Sequence, residues 1–250
     1  MHKDAAIALY DSGRGVESVL KACQRVMPQE KWLILQDTCH QPYGSKSDQE
    51  ITDAGYRCFL ELVKKDIKAI VVACHTSSAI ALPWLQKHFH LPMVGMLRPT
   101  ARLLSDQYKN DEILWLATPA SVQADRLESL ARHLGYAGKF HAVSCHRWVD
   151  CIEQNRVQDL HELLQNFVAD YGHVLTNSQA KILYGCTHYP LLDGLLDKYV
   201  GEYRVRINPA VQVAESLHMM LAQKNILRQK ANPSVSFLNG MAFRLSSQFA

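Results

Sequence analysis

The sequence predicts an α/β fold of two similar domains, each a mainly parallel sheet flanked by helices, with a functional cleft between them. Three observations carry this. Short runs rich in Ile, Val and Leu alternate with longer amphipathic stretches. Those runs are continuously apolar, as strands covered on both faces are. Two of them end alike, 112 residues apart (186 − 74), in a cysteine followed by hydroxyl residues.

Taken in order, strands are expected at Ala5–Tyr10, Trp32–Gln36, Ala69–Ala73, Met93–Met96, Ile113–Ala117, Phe140–Ser144, Lys181–Tyr184 and Val205–Ile207. Between them the amphipathic segments Val16–Val26, Asp48–Lys65, Ser78–His88, Pro99–Tyr108, Ser121–His133 and Ala210–Lys224 read as helices. Ser47 with Glu50 three residues on forms a capping box for the second of these. Such βα alternation gives open parallel sheets, on which ligands sit beyond the carboxyl ends of the strands. The residues just after each strand therefore matter most. Three such ends are polar: Asp11-Ser12-Gly13, Cys74-His75-Thr76 and Gly185-Cys186-Thr187-His188. Two domains that each lend one cysteine to a shared cleft would account for the spacing of the last two.

Bulk properties narrow the function classes. The chain has 250 residues, 48% of them hydrophobic and 20% charged, which suits a globular protein. A formal charge of +3 with no dense basic cluster argues against nucleic acid as a partner, and Lys224 to Lys230 reads as a solvated helix end. No segment approaches the roughly 20 apolar residues needed to cross a bilayer, so no membrane role is expected. Met1 to Tyr10 carries Asp4 and runs into a strand, unlike a secretory signal. Seven scattered cysteines point to a reduced, cytoplasmic protein rather than a disulfide framework.

A cysteine taken at random is usually a small buried hydrophobe, and Cys23, Cys39, Cys58, Cys145 and Cys151 invite no other reading. Cys74 and Cys186 differ in position and company. Each lies where a strand hands over to a helix, so backbone N–H groups can favour a thiolate. His75, Thr76, Ser77 and Ser78 follow the first; Thr187 and His188 follow the second. Asp11-Ser12-Gly13-Arg14-Gly15 lacks the spacing of a dinucleotide fingerprint or P-loop, and by itself is a plain capped turn. Asp37 to Lys46, DTCHQPYGSK, reads as a polar surface turn.

Together, DSGRG at 11–15, PYGSKS at 42–47, VVACHTSSA at 71–79 and YGCTHYPLL at 184–192 resemble the glutamate racemases of the aspartate/glutamate racemase superfamily. The motifs occur in that family's order, over most of the chain. Val94–Arg98 resembles the family's interdomain link, Ala117–Val122 its GTxxT loop and Ile207–Glu215 a later strand–helix junction. The resemblance implies a first domain of residues 1–97 plus 209–250 and a second of 98–208. It implies racemisation of glutamate for peptidoglycan with no pyridoxal phosphate, other cofactor or metal. One cysteine thiolate would remove the α-proton and the other thiol would return one on the opposite face. Cys74, Cys186, Asp11 and His188 would be catalytic, Asp11 assisting Cys74 and His188 assisting Cys186. Ser12, Pro42, Tyr43, Gly44, His75, Thr76, Thr118 and Thr187 would bind the amino-acid substrate. Glu153 matches a family glutamate at the far side of the cleft, but an ordinary solvated helix carboxylate fits its surroundings equally well. Related racemases commonly form dimers, so a homodimer is among the assemblies the resemblance allows.

The departures are specific. His75 stands where the family has Asn, Arg14 and Val16 alter DSGxGG, and Ser121 replaces a usual Thr. Histidine can donate or accept like asparagine, yet it is bulkier and can carry charge. His75 is therefore expected to narrow or recharge the pocket. Three other readings compete: a racemase of another amino acid such as aspartate, a racemase-like binding protein, and a Cys₂His₂ zinc protein. Retention of both cysteines with Asp11 and His188 speaks against the second. Typical zinc-ligand spacing speaks against the third.

Overall fold

A computed structural model describes residues 2–230 and 232–238 of the chain; residues 239–250, assigned above to the first domain, lie outside the described residues. Two sheets organise the chain, and every strand pairing among the described residues is parallel. The first contains β1 (Ala6–Asp11), β2 (Lys31–Gln36), β3 (Ile67–Val72), β4 (Met93–Gly95) and β9 (Ser234–Phe237), in the order β4-β3-β1-β2-β9. The second contains β5 (Ile113–Ala117), β6 (Phe140–Ser144), β7 (Lys181–Gly185) and β8 (Arg206–Ile207), in the order β6-β5-β7-β8. The central strands β1, β3, β5 and β7 are buried almost throughout, which is why their sequences are apolar without alternation.

Eleven α-helices are present among the described residues: α1 (Val16–Val26), α2 (Asp48–Leu62), α3 (His75–Ala79), α4 (Leu82–His88), α5 (Leu97–Gln107), α6 (Pro119–Ala124), α7 (Arg126–His133), α8 (Trp148–Glu153), α9 (Val157–Leu175), α10 (Asp193–Val200) and α11 (Ala210–Gln223). The capping box of α2 forms as the sequence predicts. Two expected helices are each split. Pro83 suits only a first turn, so α4 starts afresh after α3. Asp125 adopts a left-handed conformation, φ 45°, and separates α6 from α7. No helix among the described residues is long and apolar enough to cross a membrane.

Strand order fixes where a ligand can bind. In the first sheet the chain goes from β1 to β2 on one side and to β3 on the other; in the second, β5 is flanked by β6 and β7. Each reversal opens a crevice at the strands' carboxyl ends. Those ends carry Asp11 and Cys74 in one sheet, Thr118 and Cys186 in the other.

Far from these crevices a buried ion pair ties the chain together. Lys68 Nζ lies 2.6 Å from Glu30 Oε2, with both side chains fully buried. The ammonium also donates to the carbonyls of Lys3 and Ile226, at 2.8 and 2.9 Å. Glu30 Oε1 accepts the backbone N–H of Arg228 at 2.8 Å. All three ammonium protons and both carboxylate oxygens are thus occupied.

Candidate active site

Cys74 caps α3: its Sγ accepts from the backbone N–H of Ser77 and lies 3.5 Å from Ser12 Oγ, which follows β1. Burial pushes its thiol up to about 11, the nearby Asp11 carboxylate adds to this, and hydrogen bonds from Ser12 and Ser77 oppose it. Cys74 therefore holds its proton at neutral pH. Cys186 follows β7, with its Sγ 3.6 Å from His188 Nδ1. The other ring nitrogen, Nε2, lies 2.6 Å from Glu153 Oε1. Burial alone would depress His188, but bonds to Cys186 and Glu153 outweigh it and hold the imidazole up to about 10. His188 is consequently an imidazolium beside the Cys186 sulfur.

The two sheets meet through these loops. Thr187 Oγ1 donates to Asp11 Oδ2 at 3.0 Å, and Ser18 Oγ to the Thr187 carbonyl at 3.4 Å. Asp11 is fully buried, which pushes its carboxyl up to about 6 against the opposing pull of His188 and Thr187. Thr76, Thr118 and Ser121 form a triangle of hydroxyls across the cleft, with Oγ separations of 2.9 to 3.2 Å. Ser121 thus keeps the hydroxyl of the threonine it replaces. The glycines of DSGRG allow the closest approach: a Cβ on Gly15 would lie 2.2 Å from Thr187 Oγ1 and 2.8 Å from His188 Nδ1. A side chain there would wedge the two halves apart.

The PYG loop follows a cis Gln41–Pro42 peptide. Tyr43 is pinned by its hydroxyl, which donates to Asp37 and lies 2.9 Å from Tyr10 OH. Its hydroxyl is therefore committed inward, and the loop offers a ligand its backbone. Gly44 sits against Thr118, where a Cβ would come 2.9 Å from the threonine Cβ. A cavity of about 220 Å³ is lined by Ser12, Gln41, Pro42, Glu153, His188 and neighbours. A larger one, about 820 Å³, is lined by residues such as Arg98, Arg102 and Arg126, and touches none of Cys74, Cys186, Asp11 and His188. Of those four residues the smaller cavity is lined by His188 alone, together with Ser12, whose hydroxyl lies 3.5 Å from Cys74 Sγ, and these contacts make it the candidate site.

For two residues the structure separates readings that the sequence left open. Glu153 is no free helix carboxylate: besides His188 it accepts the backbone N–H of Arg14 at 3.2 Å. Burial raises its carboxyl, but the His188 contact wins and holds it below the ordinary range. The weak match of CHRWVDCIEQ hid this, and only the 35-residue contact with His188 reveals it. His75 is 3% exposed, and burial pushes its ring down to about 3. It is neutral at physiological pH, so the expected recharging of the pocket does not occur and only narrowing is left. Among the described residues, no three His, Cys, Asp or Glu side chains converge in a way that would hold a metal ion.

The sequence and the two-sheet fold have counterparts among known proteins. A family model described as Asp/Glu/Hydantoin racemase matches residues 15–217. The glutamate racemase of Deinococcus radiodurans is 34% identical over 226 residues, covering 89% of this chain and 77% of its own. That of Herpetosiphon aurantiacus is 32% identical, covering 94% and 92%. The solved structure of a glutamate racemase isoform from Bacillus anthracis superposes with a TM-score of 0.85 at 30% identity, covering 94% and 88%. The Thermus thermophilus glutamate racemase, solved in complex with β-chloro-D-alanine, gives 0.73 at 26%, covering 95% and 88%. Fold and sequence together define an isomerase, an amino-acid racemase. The chain belongs to the Asp/Glu/Hydantoin racemase family.

Proposed function

We propose that this chain interconverts L- and D-glutamate by moving the α-proton between Cys74 and Cys186, and so supplies D-glutamate for peptidoglycan. The observation that carries this is the location of one cysteine at the crevice of each sheet, with Asp11 and Thr187 hydrogen-bonded between them at 3.0 Å. A single base cannot reach both faces of one carbon; two thiols from opposed sheets can. The two-sheet architecture also supports the domain division at residues 97/98 and 208/209.

In one direction Cys186 acts as thiolate beside the His188 imidazolium. Its sulfur takes the α-proton, the C–H bond breaks, and the electron pair remains on the α-carbon and carboxylate. The S–H bond of Cys74 then breaks and its proton joins the opposite face. Cys74 is left as thiolate and Cys186 as thiol, the starting state for the reverse direction. The α-proton is far less acidic than a thiol, so the developing charge must be stabilised by fixed donors. Ser12, Thr76, Thr118 and the backbone around Pro42-Tyr43-Gly44 would supply these, and Asp11 would orient the Cys74 side through Ser12.

The test incubates purified protein with single enantiomers of glutamate and of aspartate in deuterated water. Glutamate is expected to lose its optical rotation as deuterium enters the α-position. No racemisation of glutamate would sink the proposal.

Glu153→Gln isolates the imidazolium. Without the negative partner, His188 is expected to fall from about 10 toward the ordinary imidazole range. Were it to reach ~7, only about one molecule in ten would carry the charge at pH 8. The alkaline limb of the kcat profile of the variant should therefore move to lower pH, with roughly tenfold lower kcat at pH 8. Stability follows the same sign. The folded pKa lies above the unfolded one, so the contribution of His188 is full below about pH 6.5 and is lost as pH rises through about 10. Unfolding titrations of wild type and variant should converge above that range.

A further inference from the structure

The cavity of about 220 Å³ lies between a neighbour of each thiol: Ser12, 3.5 Å from Cys74 Sγ, and His188, 3.6 Å from Cys186 Sγ. The hydroxyls of Ser12, Thr76 and Thr118 suit an α-carboxylate, but a dicarboxylic substrate needs donors for its second carboxylate as well. Few groups on this wall can supply them. Asp150 and Glu153 are carboxylates and oppose another, while the His188 ring is engaged by Glu153 on one side and Cys186 on the other. Gln154 follows α8 and is exposed, whereas Gln41 is half-buried. Bonds on both sides of Gln41 hold it in place: Asp37 Oδ1 lies 2.8 Å from His40 Nδ1, and Asp37 Oδ2 accepts from Tyr43 OH. They fix the turn and leave the Gln41 amide without a partner among the described residues. Its Oε1 comes 2.8 Å from the point where a Cβ on Gly13 would stand, a point 2.9 Å from Glu153 Oε1 and 3.2 Å from His188 Nε2. The amide thus sits at the corner of the His188–Glu153 pair with both hydrogens of its Nε2 unused. A donor held by a fixed turn binds an anion at little cost in entropy.

We infer that Gln41 is a specificity-determining residue whose Nε2 donates to the side-chain carboxylate of the bound amino acid. The inference rests on the racemase reading above and deepens it. A hydrogen bond to a charged group is worth roughly tenfold to a hundredfold in affinity. Gln41→Met keeps the length of the side chain and removes its donors. Gln41→Glu keeps the shape and brings a further negative charge to a wall that already carries Asp150 and Glu153.

The experiment measures kcat and KM for glutamate in wild type, Gln41→Met and Gln41→Glu. KM is expected to rise at least about tenfold in Gln41→Met and further in Gln41→Glu, with kcat changing less. A KM within about twofold of wild type in both variants, or tighter binding by Gln41→Glu, overturns the inference while leaving the racemase intact. Wild type inactive on glutamate sinks the function proposed above, and a second readout then still decides this one. In protein carrying ¹⁵N-glutamine, the side-chain amide signal of Gln41 is identified by its loss in Gln41→Met. Glutamate is then titrated, and separately norvaline, which has a methyl group in place of the distal carboxylate. The signal is expected to shift with glutamate and to stay nearly fixed with norvaline. A signal that moves with neither, or equally with both, refutes the role.

Discussion

Replacing either Cys74 or Cys186 by serine is expected to lower kcat for racemisation by roughly 10³-fold or more, with KM changing little. The sulfur is needed because an alcohol is a far weaker acid than a thiol and cannot form its anion at this site. The two variants should not be alike. With Cys186 replaced, Cys74 can still exchange the α-proton of the enantiomer whose hydrogen it faces; with Cys74 replaced, the other enantiomer exchanges. In deuterated water each variant should label one enantiomer of glutamate without inverting it, and the two preferences should be opposite. Identical preferences in the two variants would mean that both sulfurs address the same face. Burial of both positions, at 6% and 8% exposure, makes the near-isosteric serine the right probe, since larger changes would disturb packing.

The second large effect concerns stability. Lys68→Met leaves Glu30 buried without its cation and strands the carbonyls of Lys3 and Ile226. Breaking such a pair on one side costs about 3–5 kcal/mol. In a chain of this length that corresponds to a fall in Tm on the order of 10 °C. Glu30→Gln added to Lys68→Met should restore part of the loss, because it removes the uncompensated charge and keeps an acceptor for the Arg228 N–H. Urea unfolding of the single and double variants checks this. A single variant as stable as wild type would show that the pair contributes nothing net.

The central strands were readable because burial on both faces leaves a continuous apolar run, as in Ile67–Val72 and Ile113–Ala117. The capping box at Ser47 and Glu50 was readable because its chemistry is local. Breaks within helices were harder to see. The apolar pattern runs on through Ser78–His88 and Ser121–His133, while Pro83 and the left-handed Asp125 interrupt the backbone. Strand β9 was missed because it lies at a sheet edge, where Val235 is 40% exposed and no apolar run is required. Among site residues, the strand-end cysteines announced themselves through sequence neighbours. The partners of Glu153 and the isolation of the His75 ring depend on segments distant in sequence, which no local pattern encodes.

Strand β9 pairs with β2 through Trp32 and Val235, residues about two hundred positions apart, after the chain has traversed the whole second sheet. During synthesis the amino-terminal sheet therefore waits with a bare rim until Ser234–Phe237 has left the ribosome. Strands β5 to β8, which among the described residues pair with one another, can assemble meanwhile. Until the last strand docks, the open hydrogen-bonding edge of β2 is available to any extended peptide. Slow translation between β2 and β9 would lengthen that exposure and favour association between nascent chains.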